Sequence, residues 1–597
     1  MALIKSSFEL PPDITQDWLN TKDYFNSYAT VHYTAGADGS DASSSEFNPF
    51  EESVYTGNGG TYTTNAVVKK SPDVDFDVTN GKFSVNIAGD YWVCWIVNVL
   101  CASSTTTAVA KIKKNNSDIF ESDSAFVTGP STPGAVQIVC TQIVSLAAGD
   151  VIHGTINGAA SITATVGTSL TIMRCGGLYG HAKYTASANA QTAYNNITAF
   201  NNSFSGTVST TTNGVTFNNN PGKFEPSKTR IFLFLSTLVS QVASANECLE
   251  HKLTVDGSST GLDQMTFGTT AGTDPSSHTV AILKEVKDDE RAEIKRSDLN
   301  KTTAGCGNSS TPGAQQDPIA YTFTKGTNWS FIDISNNGGL PKAFICGTLG
   351  NSSDAFTDST SASMSIYKAD NYDSGADFDF IDPNSNAELG GNRNIVFNSI
   401  GQFMPSPLDD KSLAGDYLVI SFVGIQSVST NQACTHVLTQ AGGTVNERIE
   451  SAFQQVGAST NFDPVNNVIV SIVQFDRRYG TYALEAVLPA IRGLQGKITD
   501  GTGFIMFKLG PRMTKQTGDN EFFSGATLGQ VDNTQTSGQP IVKTDDTIDS
   551  ADKGDQRDRR TEQSPFRMSV NGPLTLRGRA RSSLPFNVAA GKRGGKK

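Results

Sequence analysis

The chain runs to 597 residues, more than one hydrophobic core supports, so several domains of roughly 100–200 residues are expected. Only 17% of residues are charged, below the ~25% of ordinary soluble domains, and the excess falls to turn formers and to 33 Phe, a mixture that points to an all-β fold. The N-terminal Met1-Ala2-Leu3-Ile4-Lys5 opens no apolar stretch long enough for a signal peptide, so none is expected. The longest apolar run, Tyr91–Ala102, contains Asn98 and falls short of the ~18 residues a membrane helix needs, so no membrane insertion is expected.

In chain order, residues 1–19 read as an N-terminal arm, followed by a unit that occurs three times. Each copy begins with a short strand, a turn and a Gly-Lys-Phe-like step. These are Val74-Asp75-Phe76 with Gly81-Lys82-Phe83, Val215-Thr216-Phe217 with Gly222-Lys223-Phe224, and Ile395-Val396-Phe397 with Gly401-Gln402-Phe403. An apolar strand follows: Tyr91–Val99, Ile231–Leu235 and Tyr417–Val423. None alternates apolar with polar, so both faces need cover, one from the domain's own core and one from a neighbour. Next comes a strand, turn and strand: 136–146 and 151–156, 280–286 and 291–295, then 468–475 and 481–487. The unit closes on Gly-Thr and a further strand, at Gly167-Thr168, Gly326-Thr327 and Gly501-Thr502. Domains are therefore expected at 20–176, 181–335 and 345–511, with linkers near Gly176–Tyr184 and Asn336–Ser363. One helix is expected, over Thr444–Gly457, where Thr444 and Glu447 suit a capping box and Ile449, Phe453 and Val456 share a face.

Beyond Pro511 the pattern stops, and residues 512–597 read as an extended linker and basic C-terminal tail. From Gln563 onward there is no acidic residue, while Arg567, Arg577, Arg579, Arg581, Lys592, Arg593, Lys596 and Lys597 supply eight positive charges. The remaining residues therefore carry about −20 (38 basic against 58 acidic). A tail of this polarity suits an anionic partner, either nucleic acid through its phosphates or an acidic protein surface such as a capsid floor.

No catalytic motif is present: there is no GxSxG, Walker A loop, HExxH or dinucleotide fingerprint. An enzyme is not expected, nor a cofactor. The six histidines are isolated, and the eight cysteines, none in a CxxC pair, read mainly as buried thiols. Cys434 and His436 share a strand face, an incomplete metal or thiol site at most. Asp73, Asp75 and Asp77 alternate along one strand, as do Asp377 and Asp379 with Asp382 nearby. Such carboxylates are weak calcium candidates, set against a plainer role as solvated edge-strand charges.

Asn80-Gly81-Lys82-Phe83-Ser84-Val85 with Ala88-Gly89-Asp90-Tyr91-Trp92-Val93 resembles the signature of TNF/C1q-like domains. Lys111–Asn116 sits where that family places a strand ending in Lys-Asn-Gly, and Leu146-Ala147-Ala148-Gly149-Asp150-Val151 resembles its Ala-Gly-Asp turn. The second and third copies keep the markers but lose that turn. The resemblance implies three tandem ten-stranded jelly-roll sandwiches, which in that family trimerise through apolar inner sheets; on one chain they would form an intramolecular pseudo-trimer. Such a body with a basic tail suits a virion structural protein: a capsid, minor capsid, decoration or spike component, with other virion proteins as partners. The alternative is a C1q-like recognition module that binds a host receptor or glycan, a host-attachment role included.

Overall fold

A computed structural model describes most residues between Ser27 and Gly510; residues 1–26, 511–597 and several connections, the longest being 52–65, 299–320 and 381–391, lie outside the described residues. Among the described residues there is no α-helix, and the strands form six antiparallel sheets. The sheets stack in three pairs, giving three β-sandwiches that lie together in one compact unit within Met1–Arg512.

The outer sheet has the same strand order in each sandwich. In the first it runs Val74–Asp77, Lys82–Val85, Val151–Gly158, Thr106–Lys114, Ser117–Phe126. In the second it runs Val215–Asn218, Lys223–Pro226, Ala292–Asp298, Glu247–Val255, Ser258–Gly268. In the third it runs Ile395–Phe397, Phe403–Pro405, Ala486–Arg492, Ala433–Ala441, Glu447–Gln454. Each inner sheet is built on a 13-residue strand: Gly89–Cys101, Arg230–Val242 or Gly415–Ser427. On one side of it lie the closing strand (Ser169–Arg174, Asn328–Asp333, Gln495–Gly510) and then the first strand (Tyr28–Tyr33, Tyr179–Tyr184, Phe344–Leu349). On the other lies Gly134–Leu146, Ser276–Val286 or Val465–Phe475.

The repeated markers have local physical causes. The Gly-Lys-Phe step closes a hairpin in which the two Phe stand directly opposite: Phe76 on Phe83, Phe217 on Phe224, Phe397 on Phe403. Their ring centroids lie 4.8, 4.9 and 5.1 Å apart, and the second Phe of each pair is fully buried. The glycine is required because Gly81, Gly222 and Gly401 have φ of 63°, 89° and 83°. A Cβ on Gly81 would also lie 2.4 Å from the Phe50 carbonyl carbon, and one on Gly222 2.4 Å from that of Phe200. The closing threonine acts alike in all three. Thr168, Thr327 and Thr502 accept the backbone N–H of Asn98, Val239 and Gly424 at 3.1, 3.1 and 3.0 Å and donate to the same residue's carbonyl. A buried backbone group left without such a partner costs about 1–3 kcal/mol.

Four local expectations need correction. The segment expected as a helix contains the strand Glu447–Gln454, paired along Ala433–Ala441. Ile449 and Phe453 are four apart, a spacing that fits one strand face as well as one helical face, and the free edge of the neighbouring strand decides the outcome. The first linker is shorter than expected, because Tyr179–Tyr184 is already the first strand of the second sandwich. The second is likewise interrupted by Phe344–Leu349 and Ala355–Thr357. The strand placed at 481–487 is found at Ala486–Arg492, with residues 481–485 outside the described residues.

The long apolar strands are covered on both faces. In the first sandwich Tyr91, Val93, Trp95 and Val97 point into its own core, while Trp92, Cys94 and Ile96 belong to a larger cluster. In the third, Tyr417, Val419 and Val423 face the local core, and Leu418, Ile420 and Phe422 join that same larger cluster. The larger cluster also holds the core of the second sandwich. Apolar side chains from all three sandwiches thus meet at a common centre, which buries faces that water would otherwise meet.

Volume is conserved where the copies diverge. Trp95, Ala110 and Gly154 of the first sandwich correspond by register to Ser236, His251 and Ile294 of the second and to Ser421, His436 and Pro489 of the third. A Cβ on Gly154 would lie 2.4 Å from the Trp95 ring, so the large indole is matched by a missing side chain. Where serine replaces Trp95, a buried histidine fills the space and bonds to it, His251 to Ser236 at 3.3 Å and His436 to Ser421 at 2.9 Å.

Candidate functional site

The distinctive sites of the body are the seams between sandwiches. They close a ring, in which the second packs on the first, the first on the third and the third on the second.

Where the second meets the first, the Tyr179 hydroxyl donates to Asp90 Oδ2 at 2.5 Å. Burial, then the carboxylate it bonds, pushes the Tyr179 phenol well above its ordinary pKa. Thr141 of the first sandwich donates to Asn328 Oδ1 at 2.5 Å and lies 3.0 Å from the Ser330 hydroxyl, which also contacts His181 Nδ1 at 3.1 Å. His181 is fully enclosed, and burial, aided by the nearby Lys183 charge, lowers its pKa to about 3, so the ring is neutral. Lys183 donates to the Ile119 carbonyl and lies 5.2 Å from the centroid of the Phe120 ring. Burial, then the charge of Lys325, lowers its pKa to about 8.

Where the first meets the third, the Tyr28 hydroxyl donates to Asp416 Oδ2 at 2.6 Å. Gln137 Nε2 donates to the Val468 carbonyl at 2.8 Å, and Val468 N–H returns a bond to Gln137 Oε1 at 2.7 Å. Thr171 also reaches the Val470 carbonyl, at 3.5 Å. Where the third meets the second, Thr279 N–H donates to Asn466 Oδ1 at 3.2 Å and Leu283 N–H to Cys346 Sγ at 3.4 Å.

The same positions recur from seam to seam. Tyr28, Tyr179 and Phe344 correspond, because each stands opposite the equivalent closing-strand residue, Met173, Ile332 or Phe507. Asp90, Ile231 and Asp416 correspond likewise, opposite Ser145, Glu285 and Gln474. Gln137 and Asn466 also correspond, each nine residues before the end of its strand, at Leu146 and Phe475. Two seams are polar at their outer end and the third is apolar, with Phe344 and Ile231 both within 2% of full burial.

None of these seam residues was a candidate from sequence. The Asp-Tyr pair recurring at 90–91 and 416–417 was a visible signal, but its partner tyrosines lie in other copies. The residues that were singled out are placed as follows. Asp75 bonds Asn86 at 2.9 Å and pairs with Lys70 at 3.4 Å. Asp77 caps its own turn, accepting from Thr79 N–H at 3.0 Å and Asn80 Nδ2 at 2.6 Å. Asp73 is half-buried, and burial raises its pKa. Among the described residues, no group of three His, Cys, Asp or Glu side chains is arranged to hold a metal ion. Asp379 lies in the strand Phe378–Phe380, and Asp377 and Asp382 fall outside the described residues.

His436 is enclosed, with Nε2 on Ser421 and Nδ1 3.1 Å from Asn467 Oδ1, and burial lowers its pKa to about 4. Its neighbour Cys434 packs in the third core, where burial raises the thiol pKa to about 12. Cys94, Cys140, Cys175, Cys346 and Cys434 are all buried. Arg567, Arg577, Arg579, Arg581, Lys592, Arg593, Lys596 and Lys597 lie outside the described residues. No helix among the described residues is long and apolar enough to cross a membrane.

No protein-family model and no curated protein matches this chain. Among solved structures, Eiger TNF from S. frugiperda aligns with 25% of this chain and 92% of its own at 11% identity, with a TM-score of 0.17.

Proposed function

We propose that this chain is a structural protein of a virus particle, a single-chain pseudo-trimer of three tandem TNF/C1q-like jelly rolls anchored by its C-terminal tail. The observation that carries the reading is that all three seams of the ring are made within one chain and use register-equivalent positions. A family that buries apolar inner sheets by associating three chains gains the same burial here by tethering, which replaces a bimolecular step with an effective concentration on the order of millimolar. Tethering also frees each copy to diverge, as the exchange of Trp95 for Ser236 and Ser421 illustrates. A rigid, self-completed three-lobed body suits an architectural role, and eight positive charges on the tail against about −20 elsewhere suit attachment by that end alone.

The test compares particle association of the full-length chain with that of a chain ending at Pro511, across a salt series. Full-length protein should co-purify with particles and the truncated body should be released folded and monomeric. Protein that stays free of particles at full length, and binds a glycan array through its body, would establish the recognition role instead.

A further inference from the structure

We infer that Tyr28, Asp416, Tyr179, Asp90, Phe344 and Ile231 are specificity-determining residues that fix which sandwich packs against which. The inference concerns the ring alone and stands apart from the particle assignment.

Three similar lobes can close a ring in two circular orders, and the inner faces of these lobes are alike enough to make the choice a real one. In the observed order each first-strand residue finds its match: Tyr28 meets Asp416, Tyr179 meets Asp90, and the two polar members missing from the third seam are missing together, as Phe344 and Ile231. The opposite order would set Tyr28 against Ile231, leaving its buried hydroxyl without Asp416, and Phe344 against Asp90, leaving that half-buried carboxylate only Ser145 of its own sandwich. Only Tyr179 against Asp416 would match. A buried polar group stripped of its partner costs far more than a satisfied one contributes, so the pattern discriminates mainly by penalising the wrong neighbour. A single polar residue in an otherwise apolar interface selects register and partner in the same way in coiled coils.

The rest of the seams has the same bias. Thr141 and Ser330 face each other where the second sandwich meets the first. The corresponding positions of the third-to-second seam are Ala281 and Ile505, again apolar on both sides. Polarity is thus present or absent on both sides together at these two seams, whereas at the first-to-third seam Thr171 meets the apolar Val470 and reaches its backbone carbonyl instead.

The experiment re-codes two seams in the full-length chain and reads the thermal unfolding midpoint. Asp90→Ile with Ile231→Asp mismatches both, and should lower the midpoint by several degrees. Adding Tyr179→Phe and Phe344→Tyr restores matched pairs at exchanged seams, and should recover at least half of that loss. A four-fold variant no more stable than the two-fold one would overturn the inference, because a purely local packing role predicts further loss. A milder cycle on one seam guards against variants that fail to fold: Asp90→Ile, Tyr179→Phe and the two combined. The pair should be less damaging than the sum of the single changes, and strict additivity would overturn the inference as surely.

Discussion

The side-chain amide of Gln137 pairs with the backbone of Val468 in both directions, donating at 2.8 Å and accepting at 2.7 Å between residues 331 positions apart. The amide does what another strand would do: it satisfies an N–H and a C=O on the outer edge of Val465–Phe475, a strand that pairs on its other side with Gly415–Ser427. An edge left open is a site for unwanted pairing, and here the ring itself covers it. Replacing Gln137 by Ala removes both bonds and leaves two backbone groups enclosed without partners. The expected loss is about 2–4 kcal/mol in denaturant unfolding, since each such group costs roughly 1–3 kcal/mol. A loss below about 0.5 kcal/mol, the range of ordinary surface substitutions, would show that water replaces the amide at no cost.

Two glycines of the same sandwich separate conformational strain from crowding. Gly81 and Gly149 both have positive φ, 63° and 88°. An added Cβ at Gly81 meets the Phe50 backbone at 2.4 Å, whereas at Gly149 it meets nothing within 4 Å. Gly149→Ala should cost about 1–2 kcal/mol, the left-handed strain alone. Gly81→Ala adds a backbone clash and should cost clearly more, about 3 kcal/mol or above. Equal losses in parallel unfolding curves would mean that the Phe50 turn yields freely.

Acid should weaken the body through its buried histidines. Burial holds His436 and His153 at pKa values of about 4 and His181 at about 3, below the ~6.5 of an unfolded chain. The unfolded state therefore takes up protons first as pH falls. The stability these neutral rings contribute is complete above about pH 6.5 and is lost as pH drops toward 4, at up to about 1.4 kcal/mol per unit for each histidine. His436→Gln, which keeps a polar group beside Ser421 and Asn467, should lose less stability than the native chain between pH 7 and pH 5. An unchanged pH slope would assign the acid sensitivity to other groups.

The amount of this architecture that the sequence discloses follows from the range of each interaction. The paired Phe, the glycine turns and the capping threonines act over a few residues or between strands of one copy, so they recur as visible markers. The two-faced apolar strands also disclosed that a neighbour must cover them, because Trp92, Cys94 and Ile96 alternate with Tyr91, Val93 and Trp95 without a polar break. The identity of that neighbour is a different matter. Tyr28 and Asp416 lie 388 positions apart, and although Asp416-Tyr417 repeats Asp90-Tyr91, nothing local marks Tyr28 as its partner. Glu447–Gln454 was misread as a helix for the converse reason: its strand state is imposed by pairing with Ala433–Ala441, which no window of its own sequence contains.

The central claim, that one chain closes its own ring of three sandwiches, is tested most directly by hydrogen exchange at three amides of the full-length protein. Val468, Thr279 and Leu283 donate across seams, to Gln137, Asn466 and Cys346. Were the sandwiches separate beads, these N–H groups would face water and exchange as quickly as an exposed edge. The ring predicts protection comparable to that of amides within the sandwich cores, because exchange then requires a seam to open. Rapid exchange at all three, with the core amides still protected, would contradict it.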